Sequence, residues 1–273
     1  MQIVAAPARQ RDVETPDGRE SIRIDRVSKV YHEPAGGSVL ALEDITLSVP
    51  ANSFVSLLGP SGSGKSTLLK LIAGIEPPSS GAIYCHGQPL NAINTGAAYV
   101  PQGRGLFPWM TLLANIEFPL KIAGVAAAER RRRALEWIER VKLGGFEGKF
   151  PRQLSGGMEK RGSLARALIT GKPILLMDEP FGPLDAQTRL GLQQQLTKLW
   201  EDVKNTVVFV THDVIEAIAL SDLVVVLSAR PGRIVDTVPI SLPRPRNVLS
   251  VPDCDGFAEV HARLQGLLFR DEN

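Results

Sequence analysis

Cysteine is nearly missing from this chain: Cys85 and Cys254 are the two in 273 residues. They form no metal-ligand spacing and no disulfide framework, which excludes a stapled secreted scaffold and points to a reducing, cytosolic setting. Long apolar runs are missing too. A bilayer crossing takes ~20 consecutive apolar residues, and the best run, Leu223-Val224-Val225-Val226-Leu227, is strand-sized and bounded by Asp222 and Arg230. Met1 to Glu20 is polar and of mixed charge, without the apolar centre of a signal peptide, and reads as a flexible extension. Charge of one sign is not in excess either. The net charge of +2 is too balanced to argue for a nucleic-acid partner. There is no internal repeat, and the length suits one sizeable domain with at most a small appendage.

What is present is a glycine loop in a telling context. Gly59-Pro60-Ser61-Gly62-Ser63-Gly64-Lys65-Ser66-Thr67 follows the apolar run Phe54-Val55-Ser56-Leu57-Leu58 and leads into Leu68-Leu69-Lys70-Leu71-Ile72-Ala73. Strand, loop and helix in that order make this a phosphate-binding loop rather than an ordinary turn. The glycines let successive backbone N–H groups point at phosphate oxygens, and the new helix adds its positive end. Lys65 is placed to reach the outer phosphates and Ser66 to hold Mg²⁺. A nucleoside triphosphate is the implied ligand.

Ser21 to Val49 alternates apolar and polar residues, as half-buried strands do, with a turn through Pro34-Ala35-Gly36-Gly37. Another strand is expected near Ala82-Ile83-Tyr84, after the turn at Pro77 to Gly81. Between Gly103 and about Pro151 helical spacing takes over, with Leu135, Ile138 and Val141 marking one face, and this reads as a helical subdomain inserted in the core over about 103–160. The run from Glu129 to Arg133 fits a solvated helix face. Pro173 to Asp178 and Thr206 to Thr211 are apolar runs of the buried parallel-strand kind, so the fold class is α/β with a largely parallel sheet. The domain is expected over 21–242. Beyond it, Leu242-Pro243-Arg244-Pro245-Arg246 reads as a linker leaving the core, and Phe257, Val260, Leu264, Leu267 and Leu268 as a terminal amphipathic helix within 243–273.

Ile174-Leu175-Leu176-Met177-Asp178-Glu179 is an apolar strand ending in two carboxylates, the Walker B pattern. Asp178 can hold Mg²⁺ opposite Ser66, and Glu179 can polarise an attacking water. Between these two elements lies Leu154-Ser155-Gly156-Gly157-Met158. In this order and spacing the motifs resemble the ATP-binding-cassette (ABC) family, whose Leu-Ser-Gly-Gly signature separates it from kinases, helicases and GTPases with the same loop. The resemblance spans roughly residues 20 to 245 in motif order. It implies a phosphate-loop cassette with a RecA-like parallel-sheet core, an antiparallel β-subdomain and an inserted helical subdomain.

The resemblance also implies residue roles. Tyr31 matches the aromatic that stacks on adenine and Val39 the apolar ribose contact. Gln102 matches the glutamine that touches Mg²⁺ and links core to helical subdomain. Ser155, Gly156 and Gly157 match the signature that meets ATP on a second copy, and Asp185 the loop that crosses that interface. His212, in Val210-Thr211-His212-Asp213, matches the switch histidine at the γ-phosphate. There are two departures from the pattern: Pro101 stands before Gln102 where a bulky apolar residue is usual, and Glu159-Lys160 replaces a basic residue and a glutamine. Neither change removes a catalytic group.

With one cassette in the sequence, the resemblance implies a head-to-tail pair, two copies of this chain or this chain with a paralogue, with ATP and Mg²⁺ at the interface. Val224 to Val235, Leu242 to Arg246 and Met158 look like the nitrate/sulfonate/taurine importer ATPases. That implies separate transmembrane permease subunits, a solute-binding protein upstream, a small anionic solute and a place on the cytoplasmic face of the membrane, with no nucleic acid as partner. Gly105-Leu106-Phe107-Pro108-Trp109 suits docking of a permease. The alternative is a soluble ABC ATPase of DNA repair or translation, which usually carries two cassettes or a long coiled-coil insertion.

Overall fold

Arg23 and Asp25 alternate with Ile22 and Ile24, and in the computed structural model the two isoleucines are fully buried. The structure describes residues 20–32, 36–103, 105–182 and 184–269; most of the N-terminal extension and part of the turn at Pro34-Ala35 lie outside them. Strand β1 (Glu20–His32) pairs antiparallel with β2 (Ser38–Pro50) on one side and with β4 (Ser80–Cys85) on the other. The two-residue β5 (Gln88–Pro89) completes a sheet of order β2-β1-β4-β5.

The second sheet holds the apolar runs. It contains β3 (Phe54–Leu58), β6 (Ala97–Val100), β7 (Ile174–Asp178), β8 (Thr206–Thr211), β9 (Leu223–Leu227) and β10 (Ile234–Pro239), in the order β10-β9-β3-β8-β7-β6. All pairings are parallel except that of β10 with β9. Strands β3, β7, β8 and β9 are buried along their whole length because both faces are covered. Phe54, Leu175, Met177, Val207 and Phe209 join one core cluster, while Val55, Leu57, Ile174, Leu176, Val208 and Val210 join the other, against the antiparallel sheet. Each such side chain stabilises the fold by ~1.5–3 kcal/mol on burial.

Helix α1 (Lys65–Ile72) follows β3, and between β6 and β7 come α2 (Leu112–Ile122), α3 (Ala127–Arg140) and α4 (Gly156–Leu168). Thr111 caps α2 by accepting from Ala114 N. The buried stripe of α3 runs through Ala134 and Ile138 to Val141 rather than through Leu135, which is 36% exposed. Spacing by four and three residues keeps the stripe on one side, whereas Leu135 is turned about 100° from Ala134. On the positive run of α3, Arg131 and Arg132 are exposed, with Arg132 bridging Glu129 and Glu136, while Arg133 is half-buried and donates to the Ile169 carbonyl. Then come α5 (Ala186–Val203), α6 (Val214–Leu220) and α7 (Phe257–Phe269).

The proline-broken segment after Leu242, expected from its sequence to be a linker leaving the core, instead stays packed on it. Arg246 is buried and donates to the carbonyls of Ile218, Ser221, Ile240 and Leu242. Leu242, Val248 and Val251 join the main cluster. A guanidinium has enough donors to satisfy the carbonyls that a break in the regular ladder leaves open, and so pins the segment.

Parallel pairing places the C-terminal ends of β3, β7 and β8 on one edge, since Leu58 is level with Thr211 and Asp178 with Val210. That edge is where ligands bind in open α/β sheets.

Candidate functional site

The loop from β3 to α1 is shaped by two glycines with positive φ. Gly64 sits at +84°, and a Cβ there would also lie 2.9 Å from the Ala41 carbonyl oxygen. Gly62, at +82°, meets nothing, so it is required for its backbone angle alone. Lys65 folds back over the loop, where Nζ donates to the carbonyls of Gly59 (2.8 Å) and Pro60 (2.7 Å) and to Ser63 Oγ (3.3 Å). Burial pushes its pKa down, opposed by the nearby charges of Glu179 and Asp178. Ser61 and Gly62 are exposed, and the first turn of α1 leaves N–H groups without helical partners. Loop carbonyls thus hold the one ammonium beside the free N–H groups at the start of α1, a set of donors fit for a polyphosphate.

Opposite the loop, Ser66 Oγ donates to Asp178 Oδ1 at 2.7 Å. Tyr99 Oη donates to the other carboxylate oxygen at 3.2 Å, and burial, followed by the Asp178 charge, raises the phenol pKa and keeps it a donor. Glu179 leaves the end of β7 with φ at +40°, a left-handed conformation that costs about 1–3 kcal/mol and collects at functional sites. Its amide donates to the Val210 carbonyl at 3.2 Å. Gln102 Nε2 donates to Glu179 Oε2 at 3.0 Å, and His212 Nδ1 lies 3.6 Å from Glu179 Oε1. Residues from the start of α1, from β6 and from the segments just after β6 and β8 therefore meet at the carboxylate pair that ends β7.

Among the described residues no three His, Cys, Asp or Glu side chains converge as a cation site. Mg²⁺ does not need such a cage, because it is usually held by one or two protein oxygens together with phosphates and water. The Ser66 hydroxyl and Asp178 carboxylate are hard oxygen donors already in contact, and they fit that ion.

Tyr31 and Val39 face each other across β1 and β2. The Tyr31 hydroxyl bonds Glu76 Oε2 at 2.6 Å and Thr67 Oγ1 at 3.4 Å, which brings the aromatic beside the start of α1.

The remaining predicted residues form a second group. Ser155 caps α4, accepting from Met158 N at 3.3 Å, and Asp185 caps α5, accepting from Thr188 N at 2.9 Å. Those amide bonds, the one from Thr188 foremost, hold the Asp185 carboxyl below its usual range. A Cβ on Gly157 would fall 2.5 Å from Thr188 Cγ2 and one on Gly156 would fall 3.4 Å from Leu184 Cδ2, so the start of α4 packs on the start of α5. Among the described residues, no hydrogen bond or ion pair joins this pair of helix ends to Lys65, Asp178 or Glu179. One chain thus carries two separate half-surfaces.

Sequence reasoning missed Tyr99 and Lys160 as members of the site. Tyr99 lies three positions before Gln102 in an apolar strand, where an aromatic reads as core. Lys160 was visible only as a departure from a pattern, yet its Nζ reaches the Gln102 carbonyl.

A parallel sheet with a phosphate loop after β3 and paired carboxylates after β7 defines a phosphate-loop nucleotide hydrolase. Comparison with known proteins narrows the class: the family model described as ABC transporter matches residues 42–182. The chain belongs to the ABC transporter family, as an ATP-hydrolysing cassette. It is 44% identical over 251 residues to an uncharacterized ABC transporter ATP-binding protein of Methanocaldococcus jannaschii, covering 92% of each chain. It is 40% identical over 244 residues to an aliphatic sulfonates import ATP-binding protein of Bacillus cereus, covering 89% of this chain and 94% of that one. A dimeric ATP-binding cassette solved in a post-hydrolysis state with ADP and Pi superposes with a TM-score of 0.71 at 33% identity, covering 80% of this chain and 98% of the other.

Proposed function

We propose that this chain is the ATP-hydrolysing subunit of an importer for a small anionic solute, with passage through the membrane made by separate permease subunits. The observation that carries the reading is the meeting of Ser66, Asp178, Glu179, Gln102 and His212 at one sheet edge, with Ser155 and Asp185 outside it.

The phosphate loop binds ATP through Gly59, Pro60, Ser61, Gly62, Ser63, Gly64 and Thr67, while Tyr31 stacks on the base and Val39 touches the ribose. Lys65 exchanges its carbonyl partners for phosphate oxygens. Bound Mg²⁺, held by Ser66 and Asp178 with Gln102 alongside, would neutralise charge on the β- and γ-phosphate oxygens. Glu179 takes the proton of a water as its oxygen bonds to the γ-phosphorus, and the bond to the β–γ bridging oxygen breaks. Gln102 and His212 hold Glu179 and the phosphate in place. The products are ADP and phosphate.

Ser155, with the Gly156 and Gly157 amides, is a helix N-terminus suited to phosphate but not joined to this chain's own loop. A second copy placed head to tail would complete each site, and dimeric neighbours of this fold support that arrangement. Release of phosphate then opens the pair.

Support for import comes from the sulfonate-import relative and from the surface near Gln102. Trp109 is 72% exposed and stacks on Phe107, itself packed edge-on against Phe118. No helix of the described residues is long and apolar enough to cross a membrane, so a permease docking on this aromatic ledge is the fitting receiver. A solute-binding protein would deliver the cargo to it from the far side, placing this chain on the cytoplasmic face. Affinity purification of the tagged chain from detergent-solubilised host membranes should bring down a multi-span permease. Recovery with nucleic acid instead would overturn the import reading.

A further inference from the structure

The loop after β6 lies along one side of α4, and that helix holds it at four places. Lys160 Nζ donates to the carbonyl oxygens of Gln102 and Gly103, at 3.0 and 2.8 Å. A Cβ on Gly105 would fall 1.9 Å from Ser163 Oγ, so the loop backbone rests directly on the helix. Gly162 leaves room for Leu106, whose Cδ1 would be 3.1 Å from an added Cβ. Arg166 covers the Phe107 ring at 4.7 Å from its centroid.

Two of these contacts are packing and one is a cation–π contact, and none of the three holds a backbone carbonyl. Lys160 differs. It is 8% exposed, and no ion pair to it exists among the described residues. Burial pushes its pKa down, with Glu159 acting the other way. A buried ammonium is costly unless its hydrogens are placed, and here two of three are spent on consecutive carbonyls. Those carbonyls directly follow the point at which the Gln102 side chain departs for Glu179. The same helix begins with Gly156, one residue after Ser155.

We propose that Lys160 is a positioning residue that locks the backbone of Gln102 and Gly103 to the helix opened by Ser155, so that the glutamine serving one ATP and the signature serving the other move as one body. A displacement of α4 would then draw Gln102 away from Glu179 directly. This rests on the reading of Glu179, Gln102 and Ser155 given above.

The test uses the full chain with K160M, K160Q and K160R. Mg-ATP turnover, ATP affinity, the thermal midpoint and amide hydrogen exchange of the loop are read on each. K160M is expected to lose roughly 10-fold in kcat through misplacement of Gln102, with KM, ATP affinity and midpoint retained. Exchange should quicken at Gly103, Gly105 and Leu106 but not in the central sheet. K160Q should fall between, and K160R should recover part of kcat because a guanidinium also reaches two carbonyls. Native kcat with native loop exchange in K160M overturns the proposal. So does a kcat loss accompanied by lost ATP binding and faster exchange throughout, which marks a merely structural residue. Native turnover in E179Q would sink the underlying reading instead, while loop exchange in K160M still decides whether the tether exists.

Discussion

Glu179 differs from its neighbour Asp178 by one position in sequence and by its whole environment. Asp178 closes a buried strand and has both carboxylate oxygens bonded, to Ser66 and Tyr99. Glu179 turns out of the strand with positive φ toward Gln102 and His212. Two carboxylates in different surroundings suit different roles, and in the mechanism proposed above the first holds the ion and the second moves the proton. E179Q keeps size and hydrogen-bonding capacity but cannot accept the proton. Steady-state turnover should fall by ~10²–10⁴, while equilibrium binding of ATP stays native. A near-native rate would remove Glu179 from the mechanism.

At the scale of elements, β8 and α6 are joined through a buried carboxyl. Thr211 and Gln193 both donate to Glu216, which is almost fully enclosed. Burial raises its pKa above the ordinary carboxylate value, despite those two donors. The folded chain therefore holds this proton over a pH window in which the unfolded chain has already released it. Stability falls as pH rises through that window, and the penalty is complete above the folded pKa. E216Q carries no such penalty. Its thermal midpoint relative to the native chain should climb as pH rises from the ordinary carboxylate range and level off only above the folded pKa, by about 2–4 °C for each kcal/mol relieved. A gain that is flat with pH, or that shrinks toward neutrality, would contradict this account.

At the scale of the molecule, the proposed pairing joins the two half-surfaces across different copies. E179Q with ATP and Mg²⁺ should sediment as a dimer, because the phosphate that bridges the copies is no longer removed. A bulky cation at the cap of α4, in the double variant S155R/E179Q, should hold it monomeric under the same conditions without loss of ATP binding, since Ser155 makes no bond to its own chain's loop. Dimers that persist in the double variant would place the interface elsewhere.

The chain's own order of residues determined the phosphate loop, the paired carboxylates and the signature, because each is a short motif whose chemistry depends on neighbours along the backbone. It also determined the parallel core, since strands buried on both faces are apolar throughout, as Ile174 to Met177 and Val207 to Val210 are. Only the tertiary structure decided which stripe of α3 is buried, that the segment around Arg246 is clamped rather than released, and that Tyr99 and Lys160 belong to the site. Those outcomes depend on partners far away in sequence: Asp178 for Tyr99, the carbonyls of Gln102 and Gly103 for Lys160, and open carbonyls at the end of α6 for Arg246. A side chain's role is legible in sequence when its partner is a few residues away, and it becomes visible only on folding when the partner is brought in by another element.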